Sequence, residues 1–141
     1  MKGWILTAIG AVGSFIAGAL GGWDTAIITL LAFMLIDYVT GFIVAAVFHK
    51  SKKTESGGLQ SRAGFKGLCK KFVILLLVVV ANLLDKQIGG DYIRDAVCIA
   101  FMFNEALSVL ENAALMGIPI PKPIKKALDV LNTKQELNSD E

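Results

Sequence analysis

Ala96–Ile118 reads AVCIAFMFNEALSVLENAALMGI, a run long enough to cross a bilayer that nonetheless carries Asn104, Glu105, Ser108, Glu111 and Asn112. A membrane-crossing helix takes about 20 mostly apolar residues. Wound at roughly 100° per residue, the five polar side chains fall within an arc of about 120°. Val97, Ile99, Phe101, Met102, Phe103, Leu107, Val109, Leu110 and Leu115 cover the rest of the circumference. Such a helix turns one face to lipid. Its stripe has to meet other protein groups or water, because polar groups at that depth are costly otherwise. The stripe therefore points to an assembly or a wet cavity within the membrane.

The rest of the chain supports a membrane reading. Of its 141 residues 55% are apolar and only 18% charged, against about 25% charged in ordinary soluble domains. The apolar residues come in runs, and the length fits one domain. Three further candidate spans precede the striped one: Trp4–Leu20, Thr25–Phe48 and a shorter one over 70–85, where Lys70 and Lys71 are expected to snorkel to the surface. The first is longer than the apolar region of a cleavable signal, about 7–15 residues, and is expected to be retained. Beyond Pro119 and Pro121, Ile120, Ile124, Ala127, Leu128 and Leu131 recur at helical spacing opposite Lys125, Lys126 and Asp129. That pattern predicts an amphipathic helix over 120–132 on the membrane surface, followed by a disordered tail, 133–141. The expected fold is all-α, with four transmembrane helices and a C-terminal interfacial helix in one membrane domain, 1–132.

Basic residues set the orientation. Lys50, Lys52, Lys53, Arg62, Lys66, Lys70 and Lys71 lie between the second and third spans. Lys122, Lys125, Lys126 and Lys134 follow the fourth, and Lys2 precedes the first. Four spans with both termini cytoplasmic place these 12 of the 14 Lys and Arg residues inside, leaving Lys86 and Arg94 in the outer loop. Lys66, Lys70, Lys71, Lys122, Lys125 and Lys126 are the expected contacts with the membrane surface. The stretch 51–61 is polar and glycine-containing, the pattern of a mobile loop.

Small residues mark close helix approach. Gly10, Ser14 and Gly18 recur every four residues in the first span, and Gly41 lies in the second. This spacing suits packing between helices, within one protomer or between copies. Asp24 is placed to cap the second span. Cys69 and Cys98, the two cysteines, are expected to be free thiols.

No catalytic constellation is present. The single histidine, His49, sits at a helix end among lysines, and no metal-ligand spacing or phosphate-binding loop occurs. No cofactor is expected. The basic linker is accounted for by orientation, so no nucleic-acid partner is expected either. The polar groups within spans are the candidate site: Asp37 and Thr40 in the second, Asn104, Glu105, Ser108, Glu111 and Asn112 in the fourth. Counted from their outer ends, Asp37 and Glu105 lie at similar depths. With no basic residue in a span core, these carboxyls are expected to be protonated, hydrogen-bonded or wet.

Several motifs, in order, resemble the toxin-secretion/phage-lysis holin family. They are Asp37-Tyr38-Val39-Thr40-Gly41 with Ala45-Ala46, Gly64-Phe65-Lys66-Gly67 ahead of Lys70-Lys71, and Asp85 after the third span. Asn104-Glu105-Ala106-Leu107-Ser108-Val109-Leu110-Glu111-Asn112 follows, then Gly117-Ile118-Pro119-Ile120-Pro121 and Lys125-Lys126-Ala127-Leu128. The resemblance covers roughly Asp24 to Asn132. It implies a phage-type protein of the bacterial cytoplasmic membrane that forms homo-oligomers and opens lesions in the bilayer. Endolysin then passes to the cell wall without needing direct contact, and some relatives are linked to toxin release. The residues alone leave two alternatives open: a small ion- or proton-conducting channel or transporter subunit, and a regulatory subunit of the antiholin type.

Overall fold

The computed structural model describes residues 2–139 and is built from five helices. They are α1 (Lys2–Leu20), α2 (Thr25–Ala46), α3 (Ser61–Ile88), α4 (Tyr92–Leu115) and α5 (Lys122–Ser139). Three of them, α1, α2 and α3, are long and apolar enough to cross a membrane. The chain is a membrane protein. α4, the expected fourth span, has 24 residues and so rises about 36 Å, but carries Arg94, Asp95, Glu105 and Glu111 along its length.

Local chemistry explains the helix ends. α1 stops where Gly21 and Gly22 take φ of 90° and 107°, a left-handed turn that costs glycine little. The N–H of Gly22 closes onto the Ala17 carbonyl at 2.7 Å. Asp24 caps α2 by accepting from the Ile27 N–H at 3.1 Å. α3 is much longer than the 70–85 expected for its span. Nothing between Ser61 and Lys70 stops a helix, since lysine and arginine are good helix formers and Gly64 and Gly67 cost only about 1 kcal/mol each. It ends at Gly89, with φ 73°. α4 is closed by Gly117, φ 82°, and by Met116, whose N–H reaches carbonyls of the last turn. α5 opens when Ile124 and Lys125 donate to the Pro121 carbonyl. It stays helical to Ser139, past the 120–132 that the apolar spacing predicts. Residues 140–141 of the expected tail lie outside the described residues.

The core sits at one end of the bundle. Leu20, Ile27, Leu30, Met34, Val78 and Cys98 are buried together there, from the four helices α1 to α4. α4 packs along α2, with α3 against α4. Most other apolar side chains point outward, among them Phe15, Leu35, Phe72 and Leu83. An apolar exterior of this extent belongs against lipid or another chain. Cys69 is exposed and Cys98 buried, and both are free.

The linker closes on itself through backbone bonds. Lys50 donates to the Val44 carbonyl at 3.1 Å, Ser51 to the Gly57 carbonyl at 3.0 Å, and Thr54 Oγ1 to the Gly58 carbonyl at 2.9 Å. His49 adopts φ 51°, and a side chain at Gly57 (φ 75°) would run into the His49 carbonyl. Backbone closure, invisible to composition, turns the polar stretch into a compact loop.

Candidate functional site

Three helices bring charge to one level. Asp37 lies 9 residues before the end of α2, Lys71 10 after the start of α3, and Glu105 10 before the end of α4. At about 1.5 Å per residue, all three are roughly 14–15 Å from the linker-side ends of their helices. There Lys71 Nζ donates to Asp37 Oδ2 at 2.7 Å and to Glu105 Oε2 at 2.6 Å. The Asp37 and Glu105 side chains are nearly buried and that of Lys71 is only 15% exposed.

This arrangement corrects two expectations. Lys71 does not point outward with Lys66 and Lys70, which are exposed. It turns inward, and the carboxyls of the spans therefore do meet a buried cation. The flexible four-carbon stem lets an ammonium ten residues into a helix reach both partners.

Asn112 completes the centre. Its Nδ2 donates to Asp37 Oδ1 at 3.1 Å, to Thr40 Oγ1 at 2.9 Å and to the Asp37 carbonyl at 3.3 Å. Thr40 Oγ1 in turn donates to the Ile36 carbonyl at 2.8 Å. The α2–α4 approach that permits these contacts passes Gly41, where an added methyl would stand 3.7 Å from Asn112 Nδ2. All five stripe residues face one cavity of about 440 Å³ between α2, α3, α4 and the linker. Asn112 and Glu105 are buried, Ser108 is half-buried, and Asn104 and Glu111 are exposed on its wall. The Tyr38 hydroxyl reaches the Gly64 carbonyl at 3.5 Å across its mouth. Lys52 and Lys53 of the linker and Lys70 of α3 also border it.

A second cluster occupies the opposite end, and sequence reasoning missed it. Arg94, 5% exposed, uses all five of its N–H donors. Nε donates to the Leu20 carbonyl, and the terminal nitrogens donate to Asp24 at 2.7 and 3.0 Å, Asp95 at 3.2 Å and the Gly22 carbonyl at 3.1 Å. Asp85 accepts from the N–H groups of Ile93 and Arg94 at 3.0 and 2.9 Å, closing the first turn of α4. Asn82 donates to the Ala19 carbonyl at 3.1 Å and to that of Gly18 at 3.4 Å. The guanidinium hydrogen-bonded to Asp24 holds that carboxyl below the usual carboxylate range. The available signal was Asp85 eight and nine residues ahead of Ile93 and Arg94, a helix-start pattern across a short turn.

Of the remaining expected residues, Gly18 touches the second cluster through its carbonyl, which accepts from Asn82, and the others stay apart from both. Gly10, Ser14 and Gly18 lie on the outside of α1, and methyls built at Gly10 and Gly18 meet nothing within 4 Å. Lys122, Lys125 and Lys126 are exposed on α5. Among the described residues, no group of three His, Cys, Asp or Glu side chains converges as a metal ion would require.

Comparison with known proteins places the chain. A Clostridium perfringens protein, the 14.9 kDa protein of the nagH 3′ region, is 37% identical over 134 residues, covering 94% of this chain and 93% of its own. A Listeria innocua protein, Lin0175, is 32% identical over 130 residues, 92% and 85% of the two chains. A Bacillus phage phi105 protein named a probable holin is 30% identical over 112 residues, 79% and 77% of the two. No solved structure matches. The bacteriophage holin family matches residues 14–133, and with a membrane-permeabilising family spanning nearly the whole fold, both charge clusters included, the chain belongs to the bacteriophage holin family.

Proposed function

We propose that this chain assembles into homo-oligomers in the bacterial cytoplasmic membrane and permeabilises it, so that an endolysin, or in a related setting a toxin, leaves the cell. The observation that carries this reading is the Lys71–Asp37–Glu105 centre beside a cavity, in a holin-family chain whose spans turn many large apolar side chains outward. A polar centre that closes within one protomer is compatible with a resting membrane. The same groups, rearranged to line water, are compatible with a lesion.

Asp37, Thr40, Asn104, Glu105, Ser108, Glu111 and Asn112 act as the intramembrane polar set. The small residues of α1, open along their length, serve contact between copies. The topology is four spans with both termini cytoplasmic, supported by the distribution of Lys and Arg. The Lys66, Lys70, Lys122, Lys125 and Lys126 side chains contact anionic headgroups, each worth about 1 kcal/mol there. Thiol labels at Ser56→Cys and Ser139→Cys reacting from opposite sides of the membrane would contradict this topology.

The deciding experiment induces the chain in bacteria with and without a cytoplasmic endolysin and follows culture density. The expected result is a delayed, abrupt fall only when endolysin is present. Membrane accumulation of the chain with no fall in density, endolysin present, would sink the reading.

A further inference from the structure

We infer that Lys71 is the latch of the resting state: its ammonium fastens α3 to α2 and α4, and its release sets when the membrane is opened. The inference rests on the function proposed above. It begins from how α3 is held. The half of α3 beyond Val78 is fixed by apolar burial (Val78, Ala81), by Asn82 on the end of α1 and by Asp85 on the start of α4. The linker-side half borders the cavity instead of filling it. Among the described residues, its polar ties to α2 and α4 include the 3.5 Å reach of the Tyr38 hydroxyl to Gly64 and the two short bonds of Lys71. One side chain thus spans three helices beside the cavity.

The charge count makes this bond conditional. One ammonium faces two carboxylates, so the group of three carries a formal surplus of one negative charge. Asn112 relieves Asp37 by donating to it, and the cavity wall adds one carboxylate, Glu111, and three ammonium groups, Lys52, Lys53 and Lys70. Removing either partner has opposite consequences. Without Lys71, Asp37 and Glu105 face each other with no ammonium between them, and the arrangement that separates them and wets them is favoured. Without the charge on Glu105, Lys71 and Asp37 form a balanced pair, and the closed arrangement is favoured. A side chain that merely fills space or supports folding would not produce changes of opposite sign at two residues that touch each other.

The test measures lysis time in cells carrying cytoplasmic endolysin, at membrane levels matched by immunoblot, for the full chain and four variants. Lys71→Arg is expected to lyse at close to the wild-type time, since a guanidinium can bridge two carboxylates. Lys71→Met is expected to lyse clearly earlier, and Glu105→Gln clearly later. The Lys71→Met/Glu105→Gln double variant is expected to lyse later than Lys71→Met alone, because the repulsion has gone. Shifts of the same sign in the two single variants, or no shift in either, overturn the latch. If Lys71→Met fails to accumulate, Glu105→Gln alone decides: it retains the Lys71–Asp37 pair, and lysis at or before the wild-type time overturns the latch.

A melting cycle over the same variants, on the full chain in detergent, separates this inference from the proposed function. Non-additive midpoints for Lys71 and Glu105 are expected whether or not cells lyse, and additive midpoints overturn the bridge itself. A wild-type chain that never lyses cells while the midpoints remain non-additive would sink the lytic reading and the latch's control of timing, but not the bridge.

Discussion

The two ends of the bundle hold charge in different ways. At the α1–α2 turn, Arg94 is satisfied by carbonyls and by Asp24 and Asp95, and the apolar core lies directly beneath. At the linker end, Lys71 is shared by two carboxylates beside a cavity. About 16 Å of α4 separates Arg94 from Glu105. The first cluster uses a rigid, planar donor on two backbone carbonyls and on the carboxylates of Asp24 and Asp95 beside them, an arrangement that suits holding a turn. The second uses a flexible ammonium on side chains from other helices, an arrangement that can be exchanged for water. The same fold thus has a fixed end and an adjustable end.

Arg94→Met should show the largest effect on stability. It leaves the Leu20 and Gly22 carbonyls without their donor and removes the tie between α1, α2 and α4. Breaking a buried charged network costs about 3–5 kcal/mol. Unfolding of the full chain in detergent should report that loss, with less protein accumulating in membranes. A change below about 1 kcal/mol would mark the cluster as an ordinary surface pair and erase the contrast between the ends.

Asn112→Ala should come next. It strips a donor from Asp37 and Thr40 on the adjustable end, where a lost hydrogen bond to a charged, buried partner is worth about 1–3 kcal/mol. The same unfolding measurement checks it, and a loss matching that of Arg94→Met would mean that the linker end is as fixed as the other.

Asp24→Asn should be smallest, because the Asp24 side chain is half exposed and such pairs are worth at most about 1 kcal/mol. Asparagine preserves the cap on α2, so the change isolates the charge. The folded Asp24 carboxyl titrates below its usual value of 3.8. Its contribution is therefore complete above that pH and is lost as pH falls through the lower, folded value. Wild type and Asp24→Asn should differ slightly near pH 6 and converge in strong acid. A gap that widens with acid would reverse the assignment.

The helical, membrane-embedded character was legible because runs of apolar residues and a polar stripe follow directly from side-chain chemistry. So were the cap at Asp24 and the polar set facing inward from α2 and α4. Lys71 was not legible. It adjoins Lys70, and adjacent helical residues differ by about 100° in direction, so only the packing of α3 decides which lysine faces inward. Arg94 was obscured for a related reason. It precedes the apolar stretch of α4 and reads as a loop charge, while Leu20, Gly22 and Asp24 lie 70 or more positions away. The closed path of the linker was not legible either, because it rests on backbone bonds and on the φ of His49 and Gly57, which composition does not record.

The two thiols divide along the same line as the charges. Cys98 is sealed in the apolar core at the fixed end, and Cys69 is exposed two residues from Lys71 at the other. A thiol-reactive dye therefore tells the two ends apart in the unaltered protein: Cys69 is open to it at rest, so a label there sits beside the bridge and reports its surroundings, whereas modification of Cys98 waits until the core itself gives way.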